Sequence, residues 1–134
     1  NLIYNKIKKK NNIKLINIGP VGEYSYPILK IKSKIVNYVQ SIDKYSKNKN
    51  FPDLILIDGR FRVACCINLL KFKKIIKNKT KIILDDYSNR KEYHILKKFF
   101  SIKKIGRFGI LKAKKYNSNN KVKFLLNKYY FISK

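Results

Sequence analysis

The stretch Pro52–Cys66, PDLILIDGRFRVACC, changes its hydrophobic period midway. Four consecutive aliphatics, Leu54-Ile55-Leu56-Ile57, stop at Asp58-Gly59, and a pattern of helical period follows with Phe61, Val63, Ala64, Ile67 and Leu70. An unbroken Ile/Leu run reads as a strand buried on both faces, the mark of a parallel sheet. The switch across one Asp-Gly predicts a strand–turn–helix junction. Open α/β sheets bind ligands beyond the carboxyl ends of their strands, which makes Asp58 a candidate functional carboxylate.

The same grammar recurs downstream. Lys81-Ile82-Ile83-Leu84 lies in a predicted strand over 80–85 and ends in Asp85-Asp86-Tyr87. Ser88-Asn89 then opens a predicted helix over 90–100, with Glu92 at capping-box spacing from Asn89. Tyr93, Leu96, Lys97 and Phe100 share one face of that helix, and His94, the single histidine, lies beside it. Asp58, Asp85 and Asp86 are thus expected at one edge of one sheet, where three acids suit a metal or general-base site. Asp also ends strands by capping the next turn, and the spacing alone leaves both roles open. His94, near the acidic strand end, is a further catalytic candidate, although a lone histidine is more often structural.

Towards the amino end, Ile13–Ile18 alternates and predicts a first strand. It runs into Gly19–Pro27, GPVGEYSYP, a loop without the spacing of a P-loop or a dinucleotide fingerprint. Ile35, Val36, Tyr38, Val39 and Ile42 form a helical stripe over 34–45, and Lys47–Asn50 is a polar loop. Towards the carboxyl end, Ile105–Ala113 predicts a final strand and Lys114–Asn120 a polar turn. Val122–Ile132 is apolar and aromatic, and fits strand or helix. The order β-α-β-α-β-α-β predicts a three-layer α/β fold.

At 134 residues with 45% apolar content, the chain is bounded to one domain with a real core. It begins at Asn1 rather than Met, so a processed chain or a fragment is expected. No signal-peptide pattern precedes the basic run Lys6–Lys10, and no apolar run approaches the roughly 20 residues that cross a bilayer. A cytoplasmic location without membrane association is the expectation. The net charge of +26 invites a nucleic-acid reading. Lysine is spread along the chain with Asn and Ile, all residues of A/T-rich codons, which favours background over a built site. Non-specific attraction at low salt is expected, and a basic nucleic-acid-binding module is the second functional reading. Cys65 and Cys66 are adjacent on the predicted helix and cannot easily bridge each other. Without a C-x-x-C or His/Cys cluster they read as reduced, buried thiols rather than zinc ligands.

Four blocks carry a resemblance: Ile18–Pro27, Asp53–Cys65, Asp85–His94 and Gly106–Leu111. Together they resemble the C-terminal half of class I S-adenosylmethionine-dependent methyltransferases, in a branch with DGRFRVAC and DDY-x-x-R-x-x-YH blocks. Ser25 stands where that branch leads one to expect glycine. The resemblance implies a Rossmann-like, mostly parallel sheet whose N-terminal strands, with their glycine-rich cofactor loop, have no counterpart here. Residues 1–134 would then be one partial domain, with 114–134 as a variable tail, inactive alone. It implies S-adenosylmethionine as cofactor and O-methyl transfer to a small-molecule or glycan hydroxyl. It also implies Asp58, Asp85 and Asp86 as ligands of a divalent cation such as Mg²⁺ or Ca²⁺. Asp58, Asp85 and His94 are then the catalytic candidates, and Arg60, Arg62, Tyr87 and Arg90 the acceptor-binding ones. The three arginines stand out in a lysine-rich chain, because guanidinium offers planar bidentate contacts. Salt bridges to the same aspartates are their alternative role.

Overall fold

The computed structural model describes residues 14–47, 51–74, 76, 80–114 and 119–132. Ile13, the run Lys6–Lys10, most of the loop Lys47–Asn50 and residues 115–118 of the polar turn lie outside them. Four strands form one sheet: β1 (Leu54–Ile57), β2 (Lys81–Leu84), β3 (Phe100–Ile105) and β4 (Phe108–Ala113), in the order β1-β2-β4-β3. Three α-helices are described: α1 (Lys32–Val39), α2 (Arg62–Leu69) and α3 (Asn119–Tyr129). A 3₁₀ turn, Gln40–Lys47, continues α1, and a 3₁₀ segment, Lys91–Lys98, stands where the helix over 90–100 was predicted.

The expected parallel pair is present. β1 and β2 run parallel in the register Ile55↔Ile82 and Ile57↔Leu84, joined through α2. The sheet as a whole is not mostly parallel, because β2–β4 and β3–β4 are antiparallel. The reason is the two-residue turn Gly106-Arg107, which splits the apolar stretch 100–113 into a hairpin. A turn this short can join only antiparallel strands, and Gly106 takes φ +56°, which glycine tolerates without a Cβ penalty.

Three further expectations change. Residues 14–18 form no strand: alternation makes a strand only when it pairs, and this segment does not pair with β1, whose outer edge carries no partner among the described residues. The capping box at Asn89 is absent: Arg90 precedes the 3₁₀ segment and no side chain caps it. The tail is helical, as α3, and buries Val122 and Leu126 in the core.

The core lies on one face of the sheet. Direct cross-strand partners share a face, so Ile55, Ile82, Leu111 and Ile102 form one row on that side. Ile82 and Leu111 are buried there with Ile35 and Val39 of α1, and Val63, Ala64, Cys66 and Ile67 of α2. α2 also meets α1, α3 and the Lys91–Lys98 segment, so these helices make a single layer. A second helical layer, which the three-layer expectation requires, is not found among the described residues.

Candidate functional site

Parallel neighbours that both end in Asp must bring those ends together, since paired strands lie about 4.8 Å apart. The Asp85 amide donates to the Ile57 carbonyl at 3.1 Å, fixing both strand ends at one level. Asp58, Asp85 and Asp86 do converge, and Arg62 stands among them. Only 6% exposed, Arg62 donates through Nε to the Gly59 carbonyl (2.8 Å) and through Nη1 to the Asp85 carbonyl (2.9 Å). Its Nη2 lies 3.1 Å from Asp58 Oδ1, and its Nη1 3.3 Å from Asp86 Oδ2. One guanidinium thus ties the first strand's end to the second's.

Arg107, from the hairpin turn, completes the neutralisation. Its Nε and Nη2 meet Asp85 Oδ1 and Oδ2 at 2.6 and 2.5 Å, a bidentate pair on a carboxylate that is 2% exposed. Burial works to raise the Asp85 pKa and is the largest single influence, but the Arg107 hydrogen bonds, the contact with Asp58, the Asp86 amide and the Arg107 charge together outweigh it and hold the carboxyl below its ordinary value. Asp58 moves the other way. Its contact with the Asp85 carboxyl, then desolvation and the Asp85 charge, raise its pKa although Arg62 opposes them. Asp58 keeps a side chain 55% exposed, so one strand end carries a sequestered anion and the other an accessible carboxyl with raised proton affinity.

The remaining candidates divide. Arg90 Nε approaches Asp86 Oδ2 at 3.7 Å and its Nη1 approaches Glu92 at 3.8 Å, so it joins the cluster's margin. Arg60 turns away to the Gly19–Pro27 loop, where it donates to the Tyr24 carbonyl and stacks on the Tyr26 ring at 4.0 Å. Tyr87 is buried against Gly109, where a Cβ would come 2.8 Å from its ring, and its hydroxyl has no hydrogen-bond partner among the described residues. His94 stacks on the Tyr87 ring at 5.5 Å and takes no part in the cluster's hydrogen bonds or ion pairs. Cys66 is buried and Cys65 half-buried; burial pushes the Cys65 thiol up to about 12, far from reactivity at neutral pH.

Arg107 is the residue the sequence reading passed over. The signal was available: the chain has four arginines, Arg60, Arg62, Arg90 and Arg107, and all four gather at this edge. Backbone strain gathers there too. The described non-glycine residues with positive φ are Tyr24, Ser25, Phe61 and Asp86, each in a loop at the carboxyl edge. Such strain persists where surrounding structure over-determines it, and it clusters at functional sites.

Beside the edge, a cavity of about 230 Å³ opens between β1, α1 and α2. Val39, Ile42, Ile57 and Leu69 line it with Tyr38, Asp58 and Arg60. Gly59 is required at this wall because a Cβ would collide with the Tyr38 hydroxyl, which accepts from the Arg60 amide at 3.2 Å.

The donor set does not fit a divalent cation. Both oxygens of Asp85 are taken by Arg107, and Asp86 Oδ2 by Arg62 and Arg90. Among the described residues, no three His, Cys, Asp or Glu side chains are arranged to hold a metal.

A methyltransferase-like protein from Silicibacter pomeroyi has a similar crystal structure, with a TM-score of 0.60 and 24% sequence identity over 89% of this chain. The fold is methyltransferase-like. The chain spans 60% of the length of that protein. No family model and no curated protein matches the sequence. No described helix is long and apolar enough to cross a membrane.

Proposed function

We propose that the chain forms the acceptor side of a methyltransferase, with Asp58 as proton acceptor for a hydroxyl of a small molecule or glycan. The supporting observation is the asymmetry of the carboxyl edge: an accessible Asp58 of raised pKa beside a buried, arginine-locked Asp85. A general base works best when its pKa approaches the working pH, and the Asp85 carboxyl moves Asp58 in that direction. Arg62 holds Asp58 Oδ1, and a side chain 55% exposed leaves the carboxyl within reach of an acceptor. The arginines supply at this edge the positive charge that a cation was expected to bring.

S-adenosylmethionine, which supplies an electrophilic methyl group when bound, fits these residues in part. The cavity beside Asp58 is about 230 Å³, below the roughly 300–1,000 Å³ of pockets that enclose a ligand of that size. Its apolar walls suit a flat ring, and the chain offers one wall of a cofactor site. The test is titration of ¹⁵N-labelled chain with the demethylated product, S-adenosylhomocysteine. Millimolar binding with shifts confined to Tyr38, Ile57, Gly59 and Arg60 supports the reading. Shifts scattered elsewhere, or none at all, contradict it.

A further inference from the structure

Three of the four arginines at the carboxyl edge are matched by acids. Arg62 and Arg107 pair with aspartates, and Arg90 approaches Asp86 and Glu92. Arg60 makes no ion pair among the described residues, although Asp58 is two residues away and pairs with Arg62. It is held in place all the same. Its guanidinium sits over the Tyr26 ring at 4.0 Å, its Nη2 donates to the Tyr24 carbonyl, and its amide donates to the Tyr38 hydroxyl at 3.2 Å. The loop that carries Tyr24 and Tyr26 is closed on itself. The Gly22 amide donates to the Tyr26 carbonyl at 2.8 Å, and the Ile28 amide to the Pro20 carbonyl at 2.9 Å. Arg60 is therefore a half-buried cation on a built surface, with Nε and Nη1 uncommitted among the described residues. It lines the same cavity as Asp58.

Resting on the reading of Asp58 as proton acceptor, we propose that Arg60 binds an oxyanion carried by the acceptor, which is a sugar acid or a sugar phosphate. A guanidinium fixed by a ring and a carbonyl, with no carboxylate of its own, is pre-organised for an anion. Carboxylate and phosphate both match its planar fork through two parallel N–H bonds. The net charge of +26 draws small anions towards the molecule, and a fixed arginine beside the base gives them a place to stop. Arg60 and Asp58 lie at most about 7 Å apart along the backbone, so one sugar-sized molecule reaches both. Its anion on Arg60 and its hydroxyl at Asp58 orient it by two points.

The test titrates the ¹⁵N-labelled whole chain with glucuronate, glucose 6-phosphate and neutral glucose at physiological salt, where non-specific attraction to +26 is screened. At least one sugar anion should bind about tenfold tighter than glucose, with shifts at Tyr26 and Arg60. Which of the two binds tells a carboxylate from a phosphate, and either supports the proposal. Arg60→Gln should remove that advantage, and Arg60→Lys, which keeps the charge and loses the fork, should recover only part of it. Lys81→Gln, exposed at the amino end of β2, should leave it unchanged. Retained thermal unfolding shows that the variants fold. Equal binding of glucose, binding of neither anion, or anion binding unaffected by Arg60→Gln overturns the proposal. So does an equal loss in Lys81→Gln, which would make the attraction a property of the whole charge. S-adenosylhomocysteine also carries a carboxylate, and its affinity should survive Arg60→Gln. If that affinity falls tenfold while sugar-anion binding stays, Arg60 belongs to the cofactor and the proposal fails. Absence of any S-adenosylhomocysteine binding contradicts the methyltransferase reading, whereas Arg60-dependent sugar-anion binding beside it still supports the anion site.

Discussion

Arg62 reaches the carbonyls of Asp58, Gly59 and Asp85 and the carboxylates of Asp58 and Asp86 while almost wholly buried, so its removal leaves these acceptors without their shared cation. Arg62→Met is expected to cost about 3–5 kcal/mol, the range for breaking a buried charged pair. A marginally stable domain would lose most of its cooperative unfolding transition in calorimetry. Ser25 gives a smaller change of opposite sign. It holds φ 59°, where the resemblance led to an expectation of glycine, so the backbone keeps the left-handed geometry without the permissive residue. A left-handed L-residue costs roughly 1–2 kcal/mol, and glycine returns about 0.5–1 through its unfolded-state entropy. Ser25→Gly should therefore stabilise by about 0.5–1 kcal/mol, read as a raised melting temperature.

The strand–turn–helix junction of β1 and α2 was legible because its apolar run, its Asp-Gly and its helical period agree with one another. The hairpin was not. Ile105–Ala113 reads as one strand by composition, and Phe100, the first residue of β3, reads as the end of the helix over 90–100 because it also completes a helical face with Tyr93 and Leu96. All three of those residues are buried, so the face was right and the element wrong. Positions that satisfy both periods are decided by pairing, and the Gly106-Arg107 turn supplies it. The junction itself can be probed at Gly59. Gly59→Ala forces Tyr38 out of its contact and should cost about 1–3 kcal/mol, as overpacking does. Truncating the clashing hydroxyl with Tyr38→Phe should recover part of that loss. Additive destabilisation in the double variant would contradict the contact.

The charge of +26 acts on the whole molecule rather than on one site, since the four arginines are engaged with acids, carbonyls and rings at one edge while lysine covers the rest. Binding to a random oligonucleotide should be strong at low salt and vanish near 0.15 M, with log Kd linear in log salt. Nanomolar, sequence-selective binding that survives such salt would promote the nucleic-acid reading. The site was legible as a set of residues and illegible as chemistry: three aspartates at strand ends suggest a cation, and only the placement of Arg62 and Arg107 reveals that their oxygens are already bound. The carboxyl edge then behaves as one electrostatic unit. Asp85, with its pKa lowered in the fold, contributes stability above the ordinary carboxylate range that is lost as pH falls through its folded value. Asp58, with its pKa raised, contributes in the opposite sense, and its share is lost as pH rises through its folded value. The most direct measurement is a ¹³C titration of the aspartate carboxyls in the whole chain and in Asp85→Asn. Asp58 should titrate above 3.8 and Asp85 below it, and Asp58 should fall back when Asp85 loses its charge. Independent titration of both groups at ordinary values, unchanged by Asp85→Asn, would contradict a coupled edge and with it the role of Asp58 as proton acceptor.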